Sequence, residues 1–408
     1  MGKVLVLDAS ERSALAFVRS LGKEGIEVAV GDSERYTTAL LSKYCKKRLR
    51  YTSPEESQDS FLKNLKKILS EDIYDMLIPV SEFTITIVSY HKKELEVYTK
   101  VAAPDYEKYK QTYDKAQTAK LAKRYGVPHP KTEIIDDSDK IEEVSSKVKY
   151  PVVIKPRMKT YWYKDKCVVV KVTQKNYAKN KKDLIERYGQ ILKEHKELEK
   201  LHLLPLVQEY IPGQTYGVEF LLNNGRSRAT FIHRRLCEYP TTGGASTLRE
   251  SVWNPQLIRE GVRILQKLRW HGLAMAEFRW DTRDDTPKLI EINGRPWGSL
   301  PLAVTAGVDF PFLYYRMLIE GDVKTQKEYK VGVKQKWLIP GHLLWFYAKM
   351  MDGPNRIQNF AAFIRSLSYP DDIISLDDSL PTLGAIKVAS QTMLEVLKGK
   401  RKITGEMY

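Results

Sequence analysis

The stretch AEFRWDTRDDTPKLIEINGRPWGS, residues 276–299, decides the fold of this chain. Its pattern predicts a β-hairpin with the strand AEFRW, the polar turn DTRDDTP and the strand KLIEING. If the hairpin folds about Asp284, Glu277 and Glu291 are cross-strand neighbours on one face, which Glu291 shares with Asn293. Two like charges directly opposite each other destabilise a sheet, so these carboxylates need a partner.

A divalent cation is the simplest partner for the two carboxylates. Mg²⁺ binds carboxylate oxygens together with the phosphate oxygens of a substrate. The alternative is that both glutamates are solvated on an exposed face and pair with Arg279 or Arg295. Spacing alone leaves both interpretations open. The apolar residues that alternate with the polar ones should face the core: Ala276, Phe278, Ile290 and Ile292.

Upstream, short apolar runs alternate with amphipathic segments, which predicts an open parallel sheet covered by helices. The expected strands are KVLVLD, IEVAVGD and DMLIPVSE, and the expected helices are ERSALAFVRSLGKEG and FLKNLKKILS. The first turn, DASERSALA, has no Gly-x-Gly-x-x-Gly motif. Because those glycines permit a close approach to a pyrophosphate, their absence argues against a nicotinamide dinucleotide.

The middle of the chain predicts a smaller αβ unit. A helix should run from about Asp114 to a stop at Gly126. The strands PVVIKP and CVVVKV follow, joined by RMKTYWYKDK, and a highly charged helix is expected over residues 181–200. LPLVQEY is a further strand, which turns at Pro212-Gly213 and resumes. The last 80 or so residues should be mostly helical and irregular.

Composition restricts the class of protein. The chain has 408 residues, 42% of them hydrophobic, which suits two or three globular domains. Its net charge of +16 favours anionic partners such as nucleotides, phosphorylated or carboxylate substrates, nucleic acid or membrane, although a solvated lysine-rich surface explains it equally. The three scattered cysteines form no zinc or disulfide pattern. The start runs directly into a predicted strand, so we expect no signal peptide and a cytoplasmic location.

The opening stretch also carries a family resemblance. MAEFRWD…LIEINGRPWGS resembles the metal-binding core of the ATP-grasp superfamily, which has an acidic residue on one strand and Glu-x-Asn-x-Arg on the next. Three earlier segments agree with that family in order and spacing: YDKAQTAKLAKRYGVPHPKT, YPVVIKPR and VQEYIPGQTYGVEFLL. Together the four motifs cover about residues 110–310. The resemblance extends to the branch of predicted ATP-dependent carboligases, or carboxylate–amine ligases, with a fold like that of carbamoyl-phosphate synthase.

The resemblance implies a mixed α/β and α+β architecture. We expect a Rossmann-like parallel-sheet domain at residues 1–110 and an ATP-grasp region at residues 111–320. Within that region, a small α+β lid should occupy about residues 131–206 and the α+β catalytic core residues 207–320. A mostly helical extension should follow at residues 321–408.

The resemblance also implies a site for ATP with Mg²⁺ or Mn²⁺. The expected metal ligands are Glu277, Glu291 and Asn293. The expected nucleotide-binding residues are Lys115 and Lys155 at the phosphates, with Gln208, Glu209, Tyr210, Ile211 and Glu219 at the base and ribose. Catalysis is assigned to Glu291, Asn293 and Arg295, with Arg295 holding the transferring phosphoryl group.

The sequence departs from the family pattern at two places. The lid hairpin has no glycine, so phosphate contact could come from Lys159, Lys164 or Lys166. Thr215 stands where many members have a ribose-binding glutamate, for which Gln214 or Glu219 could substitute.

The stretch FIHRRLCEYPTTGGASTLRES, residues 231–251, predicts a substrate-binding loop. Its glycines let backbone N–H groups approach an anion, and its hydroxyls add donors. The alternative is a flexible surface turn. The candidate substrate residues are Arg234, Arg235, Thr242, Gly243, Gly244 and Ser246. We interpret His233 as a strand residue and not as a base.

The implied activity is an ATP-dependent ligase that converts a carboxylate into an acylphosphate and joins it to an amine, on a cell-envelope precursor as one option. The turn DASERS, the loop TTGGAST and the C-terminal region should set the acid and the amine. Two alternatives remain: a carboxylase or carbamoyl-phosphate-type enzyme, and a non-catalytic basic binding module. No biotinyl Met-Lys-Met motif is present, and we expect no specific nucleic acid partner.

The segment VKQKWLIPGHLLWFYAKMMDG places Trp337 and Trp345 among Lys334, Lys336 and Lys349. Basic residues around an aromatic-rich apolar stretch suit a membrane interface, so weak peripheral contact with the inner face of the membrane is one option. The alternative is that this stretch packs on the catalytic core. A homodimer is a further option.

Overall fold

The computed structural model describes residues 2–163, 166–170, 172, 174–241, 243–352 and 355–398. The N-terminal part forms a parallel sheet with the strand order β3-β2-β1-β4-β5. Its strands are β1 (Lys3–Val6), β2 (Glu27–Asp32), β3 (Cys45–Arg50), β4 (Met76–Ile78) and β5 (Lys100–Val101). Its helices are α1 (Arg12–Lys23), α2 (Gln58–Glu71), α3 (Glu82–Tyr90) and α4 (Lys92–Leu95).

The three predicted strands and both predicted helices of this domain are confirmed. Strand β3 was not predicted, because its sequence CKKRLR is mostly basic. It is the edge strand of the sheet, where charged side chains reach solvent and prevent pairing with other chains.

The chain then enters the lid through α5 (Tyr106–Tyr113) and α6 (Lys115–Arg124). Helix α6 begins directly after Asp114, close to the predicted start, and the Asp114 side chain caps it. The lid sheet has the order β10-β7-β11-β6. The strands from here to the core are β6 (Thr132–Glu133), β7 (Val152–Lys155), β8 (Thr160–Tyr163), β9 (Lys166–Val169), β10 (Tyr177–Ala178) and β11 (Leu206–Glu209). The lid helices are α7 (Ile141–Lys147), α8 (Lys181–Glu194) and α9 (Glu197–Lys200).

The segment RMKTYWYKDK is more than the simple connection expected from the sequence. Its residues TYWY form β8, which pairs with β9 in a separate antiparallel hairpin. Strand β7 pairs with β10 and β11 instead. Aromatic and β-branched residues favour strands, and this signal in TYWY outweighs the flanking charges.

The core region contains an antiparallel sheet with the order β16-β15-β12-β13-β14-β17. Its strands are β12 (Gly213–Asn223), β13 (Arg226–Tyr239), β14 (Ala245–Ser251), β15 (Gly272–Asp281), β16 (Thr286–Asn293) and β17 (Lys334–Lys336). Helix α10 (Pro255–Lys267) covers one face, while α11 (Leu300–Ala306) and α12 (Phe310–Glu320) pack against the other. Val218, Phe220 and Leu222 alternate along β12 and face α10, which leaves Glu219 and Leu221 on the opposite face.

The C-terminal extension contains α13 (Leu343–Asp352), α14 (Arg356–Ser366) and α15 (Pro381–Leu397). The segment before α15 is fastened to α1 by two ion pairs. Arg12 Nη1 lies 2.7 Å from Asp372 Oδ2, and Arg19 Nε lies 2.9 Å from Asp378 Oδ2. The predicted helical character is confirmed, and the extension packs on both the N-terminal domain and the core sheet.

Trp345 and Trp337, for which a membrane interface was one option, both pack against the rest of the protein. Trp345 is 6% exposed and lies in an apolar cluster with Tyr239, Leu248 and Phe363. The Trp337 ring lies 4.0 Å below the Arg12 guanidinium. In the described part of the chain, no single helix is long and apolar enough to cross a membrane. The bent pair α11–α12 reaches the required length and hydropathy only when its two helices are combined. Most apolar side chains of this pair are buried in the core.

Candidate active site between the lid and the core sheet

A cleft of about 610 Å³ lies between the lid and the core sheet. Its walls come from β7 and β11 of the lid and from β13, β15 and β16 of the core. Lys115, the first residue of α6, reaches it from one side, and Arg12, the first residue of α1, reaches it from the N-terminal domain. The cleft therefore lies where the three parts of the chain meet.

The opposed carboxylates occupy the floor of this cleft. Glu277 of β15 pairs directly with Glu291 of β16, as the sequence predicts, and Asn293 shares their face. A bulge between Glu277 and Phe278 produces this pairing. Continued without the bulge, the register set at the turn would place Ile290 opposite Glu277.

The same bulge corrects one prediction. Ile290 is the extra residue in β16, and its side chain lines the cleft although the sequence pattern assigned it to the core. Ala276, Phe278 and Ile292 are buried on the opposite face against α10, as predicted.

Glu291 is surrounded by cations. Its Oε1 lies 3.1 Å from Lys159 Nζ, and its Oε2 lies 3.5 Å from Lys115 Nζ. Asn293 Nδ2 donates a hydrogen bond of 3.1 Å to Oε1. Burial raises the pKa of Glu291, but Lys159, Lys115 and Lys155 lower it more, so the pKa lies well below its usual range. Glu291 is therefore an anion in the free protein.

Glu277 has the opposite tendency. Burial raises its pKa, the paired Arg235 guanidinium lowers it, and the Glu291 charge raises it again, with a net rise. Two close carboxylates with divergent pKa values form a site that a cation completes. Two carboxylates and one amide oxygen, all hard oxygen donors, fit Mg²⁺ when phosphate oxygens complete the shell. The described residues contain no cluster of three or more His, Cys, Asp or Glu side chains that could hold a metal without such help.

The lysines line the wall opposite the carboxylates. Lys155 ends β7 and Lys115 begins α6, where the Asp114 side chain accepts a 2.8 Å hydrogen bond from the Ala116 N–H. Burial, together with the Lys115 charge, lowers the pKa of Lys155 to about 8 against the opposing effect of Glu291. Burial also lowers the pKa of Lys115. Desolvated ammonium groups that face a cleft gain stability when an anion such as a phosphate binds there.

Two family models match this part of the chain. One is described as ATP-grasp in the biosynthetic pathway with Ter operon and matches residues 204–338; the other is an ATP-grasp domain that matches residues 106–226. The chain belongs to the ATP-grasp superfamily.

The ATP-grasp chain is 23% identical over 249 residues to D-aspartate ligase from Enterococcus faecium. The match covers 58% of this chain and 58% of that ligase, which is less than two thirds of the relative's length. Solved structures agree on the fold. They include biotin carboxylase from Campylobacter jejuni (16% identity, TM-score 0.64, covering 81% of this chain and 74% of that one) and L-amino acid ligase from Bacillus licheniformis (14% identity, TM-score 0.56, covering 78% and 74%).

The segment that the resemblance assigned to the base also lines the cleft. Gln208, Glu209, Tyr210 and Ile211 follow one another along and just beyond β11. The Arg279 guanidinium lies 5.7 Å from the centre of the Tyr210 ring and donates a 2.8 Å hydrogen bond to the Ile211 carbonyl. The Glu209 carboxylate points towards the rim, where it accepts hydrogen bonds from the Lys131 N–H and from Arg283.

Glu219 does not line the cleft as the resemblance implied. Its side chain is fully buried, pairs with His233 Nδ1 at 2.9 Å and accepts a 3.1 Å hydrogen bond from Ser299 Oγ. Burial raises the pKa of Glu219 well above its usual range. The local sequence gives no sign of this burial, because the turn that covers Glu219 lies about 80 residues later in the chain. Gln214, the other suggested ribose contact, is exposed and bonds to the Arg235 carbonyl.

The two predicted substrate arginines lie on different faces of β13. Arg235 faces the cleft, where it pairs with Glu277 and Glu238. Arg234 lies outside the cleft lining and pairs with Glu250 at 2.6 Å, so the structure does not bring it together with the other predicted substrate residues. The reason is strand alternation, which places successive residues on opposite faces.

The loop after β13 reaches the cleft with Gly243, Gly244 and Ser246. A Cβ atom on Gly244 would lie 2.2 Å from the Tyr239–Pro240 backbone, so the tight turn requires glycine there. Thr242 lies outside the described residues, as do Lys164 and the side chain of Lys166. Lys159 is the lid lysine that meets Glu291.

Several cleft residues were not predicted individually from the sequence. Arg12 lies in the turn DASERS, which was expected to set the substrates without naming this residue, while Trp297, Gly298 and Ser299 come from the turn after β16. His233 also lines the cleft, with its ring against Gly217, where an added Cβ would lie 2.2 Å from the ring. Burial lowers the pKa of His233 well below its usual range. Only the motif Gly-Arg-Pro-Trp-Gly-Ser, adjacent to the predicted metal site, hinted at the turn.

Proposed function

We propose that this ATP-grasp protein is an ATP- and Mg²⁺-dependent carboxylate–amine ligase. The observation that carries the proposal is the paired Glu277 and Glu291 opposite Lys115, Lys155 and Lys159 in one cleft. Such an arrangement suits a polyphosphate bridged by a divalent cation: carboxylates hold the metal, and ammonium groups hold the phosphate oxygens. A pure binding module has no need for two opposed carboxylates.

The proposed metal ligands are Glu277, Glu291 and Asn293. When bound, Mg²⁺, or Mn²⁺ in its place, neutralises the charge that develops on the transferring phosphoryl group. Lys115 and Lys155 bind the phosphates. In the free protein Lys115 and Lys159 pair with Glu291, and both lysines would pass to the phosphate oxygens when the nucleotide binds.

The reaction has two steps. An oxygen of the substrate carboxylate attacks the γ-phosphorus, the bond to the β–γ bridging oxygen breaks, and ADP leaves an acylphosphate behind. The amine nitrogen then attacks the acyl carbon, inorganic phosphate leaves with the bonding electron pair, and the nitrogen loses a proton to give the amide. Arg295 holds the phosphoryl oxygens through both steps, and Glu82, 3.7 Å from its Nη2, positions it.

The chemical class of the substrates is proposed from the relatives. D-aspartate ligase and L-amino acid ligase are named for amino acid substrates. Amino acids, short peptides and peptide-bearing precursors are therefore the first acids and amines to test. Bicarbonate belongs in the same panel as the alternative acid, because a carboxylase is the runner-up activity.

The test is ATP turnover in such a panel, measured as ADP release with Mg²⁺. The proposal predicts ADP release that requires both an acid and an amine and that is lost in Glu291→Gln. The matched control is Glu250→Gln, which removes the same charge on the opposite face of the sheet. ADP release that depends on bicarbonate and on no amine would favour the alternative, and the absence of Mg²⁺-nucleotide binding would overturn both.

We also propose a cytoplasmic location. Helices α13 and α14 expose apolar side chains, among them Tyr347, Ile357 and Phe360. Contact with the membrane or between two copies of the chain through these helices stays a prediction. Co-sedimentation with anionic vesicles and the molar mass in solution distinguish the two.

A further inference from the structure

The end of the cleft beside the N-terminal domain has a feature that the proposed chemistry does not use. Arg12 begins α1, directly after the turn that follows β1, and its guanidinium lines the cleft next to residues 297–299. Its side chain is 13% exposed. Phosphoryl transfer from ATP assigns no task to this arginine.

The strand order places Arg12 where open parallel sheets commonly bind their ligands. In the N-terminal sheet β1 lies between β2 and β4, so the connections that leave β1 and β4 run to opposite sides. Ligands of open parallel sheets bind in the crevice outside the carboxyl ends of two such strands. Arg12 follows β1 at this crevice, and Glu82, the partner of Arg295, follows β4.

The protein holds the Arg12 side chain on three sides. Asp372 Oδ2 accepts a 2.7 Å hydrogen bond from Nη1, and the Trp337 ring lies 4.0 Å from the guanidinium carbon. A Cβ atom on Gly298 would lie 2.5 Å from Nη2, so this position must be glycine for the guanidinium to sit where it does. An arginine fixed in this way has lost its rotamer entropy before any ligand arrives.

The ion pairs of Arg12 differ from those of Arg235 and Arg295. Arg235 pairs with Glu277 and Glu238, and Arg295 pairs with Glu82. By contrast, Arg12 shares Asp372 with Arg249, and both Asp372 and Arg249 are fully buried.

Because two guanidinium groups share one carboxylate, some of their N–H donors have no acceptor. Among the residues that the structure describes, the Nε and Nη1 atoms of Arg249 have no hydrogen-bond partner. Glu11 beside Arg12 and Glu219 near Arg249 also act on these guanidinium groups, so it is the fixed position of Arg12 in the cleft, and not a surplus of positive charge, that favours a bound anion.

We propose that Arg12 binds a carboxylate of the substrate that does not react. The substrate at this end of the cleft is then an amino-acid-type molecule with a free carboxylate, held by the planar guanidinium fork. This inference rests on the proposed ligase function and adds the substrate class and the residue that recognises it. The C-terminal extension contributes to this site, because Asp372 and Trp337 position the Arg12 side chain.

Arg12→Ala tests the proposal by binding. The full-length protein is first titrated with the non-hydrolysable analogue Mg²⁺-AMP-PNP and then, when saturated, with D- and L-aspartate. Asparagine and isoasparagine serve as analogues that each lack one of the two carboxylates. We expect wild type to bind at least one aspartate enantiomer. We expect asparagine or isoasparagine to bind at least tenfold more weakly than that aspartate, which is about the loss in affinity for one charge-assisted hydrogen bond.

In Arg12→Ala we expect that discrimination to disappear, because the group that distinguishes carboxylate from amide is gone. Aspartate itself should bind at least tenfold more weakly, and Arg12→Lys should be intermediate. Nucleotide affinity should stay within twofold of wild type in both variants. Gly298→Ala, which keeps the arginine but displaces its guanidinium, is expected to lose discrimination in the same way even if Arg12→Ala fails to fold.

Arg19→Ala is the matched control. Arg19 lies on the same helix and also fastens the C-terminal extension, through the Asp378 carboxylate and the carbonyls of Asp372 and Ile373, but it does not line the cleft. It should lower the melting temperature and leave discrimination unchanged.

Three results would overturn the inference: wild type that distinguishes neither amide, Arg12→Ala that discriminates as wild type does, or loss of discrimination in Arg19→Ala as well. A failure of the proposed function shows itself earlier and separately, as wild type that does not bind Mg²⁺-AMP-PNP.

Discussion

Replacing Glu291 with glutamine should change nucleotide binding in opposite directions with and without metal. In the free protein the Glu291 carboxylate occupies Lys115 and Lys159, the groups that a polyphosphate needs. Glutamine keeps the shape and removes the charge. Without metal, the lysines are then released for the phosphates; with Mg²⁺, one of the two anionic ligands is lost.

The size of each change follows from the contacts. Lys159 is 43% exposed, so solvent screens its pair with Glu291 and only a small contribution is expected. The Lys115 pair is 10% and 14% exposed and is screened less. A release of about 1.4 kcal/mol in total is reasonable, which corresponds to about tenfold tighter metal-free ATP binding. Loss of the metal ligand should lower turnover at least ~100-fold, or about 2.7 kcal/mol in the activation free energy.

Calorimetric titration with AMP-PNP, once in EDTA and once in Mg²⁺, measures the first effect, and ADP release measures the second. Glu250→Gln should show neither, and the melting temperature of each variant checks folding. Metal-free affinity that does not rise in Glu291→Gln, or turnover within tenfold of wild type, would refute the assignment of Glu291.

Three further predictions concern single residues. The pKa of Lys155 is lowered to about 8, so its ammonium group deprotonates as the pH rises through 8, and the affinity for ATP should weaken over that interval. Lys155→Ala should weaken ATP binding and turnover at pH 7, and calorimetric titrations of this variant should no longer show the pH dependence. Gly217→Ala places a Cβ 2.2 Å from the His233 ring and should lower the free energy of unfolding in urea by about 1–3 kcal/mol. Gly189→Ala, in open space on α8, should raise the same free energy by about 0.5–1 kcal/mol. Asp372→Asn leaves the buried Arg249 without its counter-charge and should cost about 3–5 kcal/mol by the same measurement, while Asp377→Asn at a half-exposed pair should leave the unfolding midpoint unchanged.

The sequence was sufficient to locate the metal-site hairpin because its signal is local. Alternation predicts the strands, and the polar turn fixes to within one residue where they fold back. The final pairing of Glu277 with Glu291 depends on the bulge in β16. The bulge at Ile290 was not predictable, since nothing in the residue types distinguishes an isoleucine in the core from one that lines a cleft.

The remaining part of the site depends on contacts between distant segments. Arg12 and Asp372 are 360 positions apart, and a sequence without its fold does not reveal that they meet. Glu219 was suggested for the ribose as a substitute for the glutamate that many family members have at the position of Thr215, but the turn at Ser299 covers it. Arg234 and Arg235 were assigned together, although alternation on one strand allows only one of them to face the cleft. Local patterns thus give the face of a strand, and tertiary packing decides which residues on that face remain accessible.

The central claim is that a substrate carboxylate is activated by phosphoryl transfer from ATP in this cleft. Isotope transfer tests it most directly: the acid that supports ADP release is prepared with ¹⁸O in its carboxylate and converted with Mg²⁺, ATP and the amine, and the released phosphate is analysed by mass spectrometry. An acylphosphate intermediate predicts one ¹⁸O atom in each phosphate, because the carboxylate oxygen that attacked phosphorus leaves with it. Phosphate without ¹⁸O, or AMP and pyrophosphate as the nucleotide products, would contradict the account.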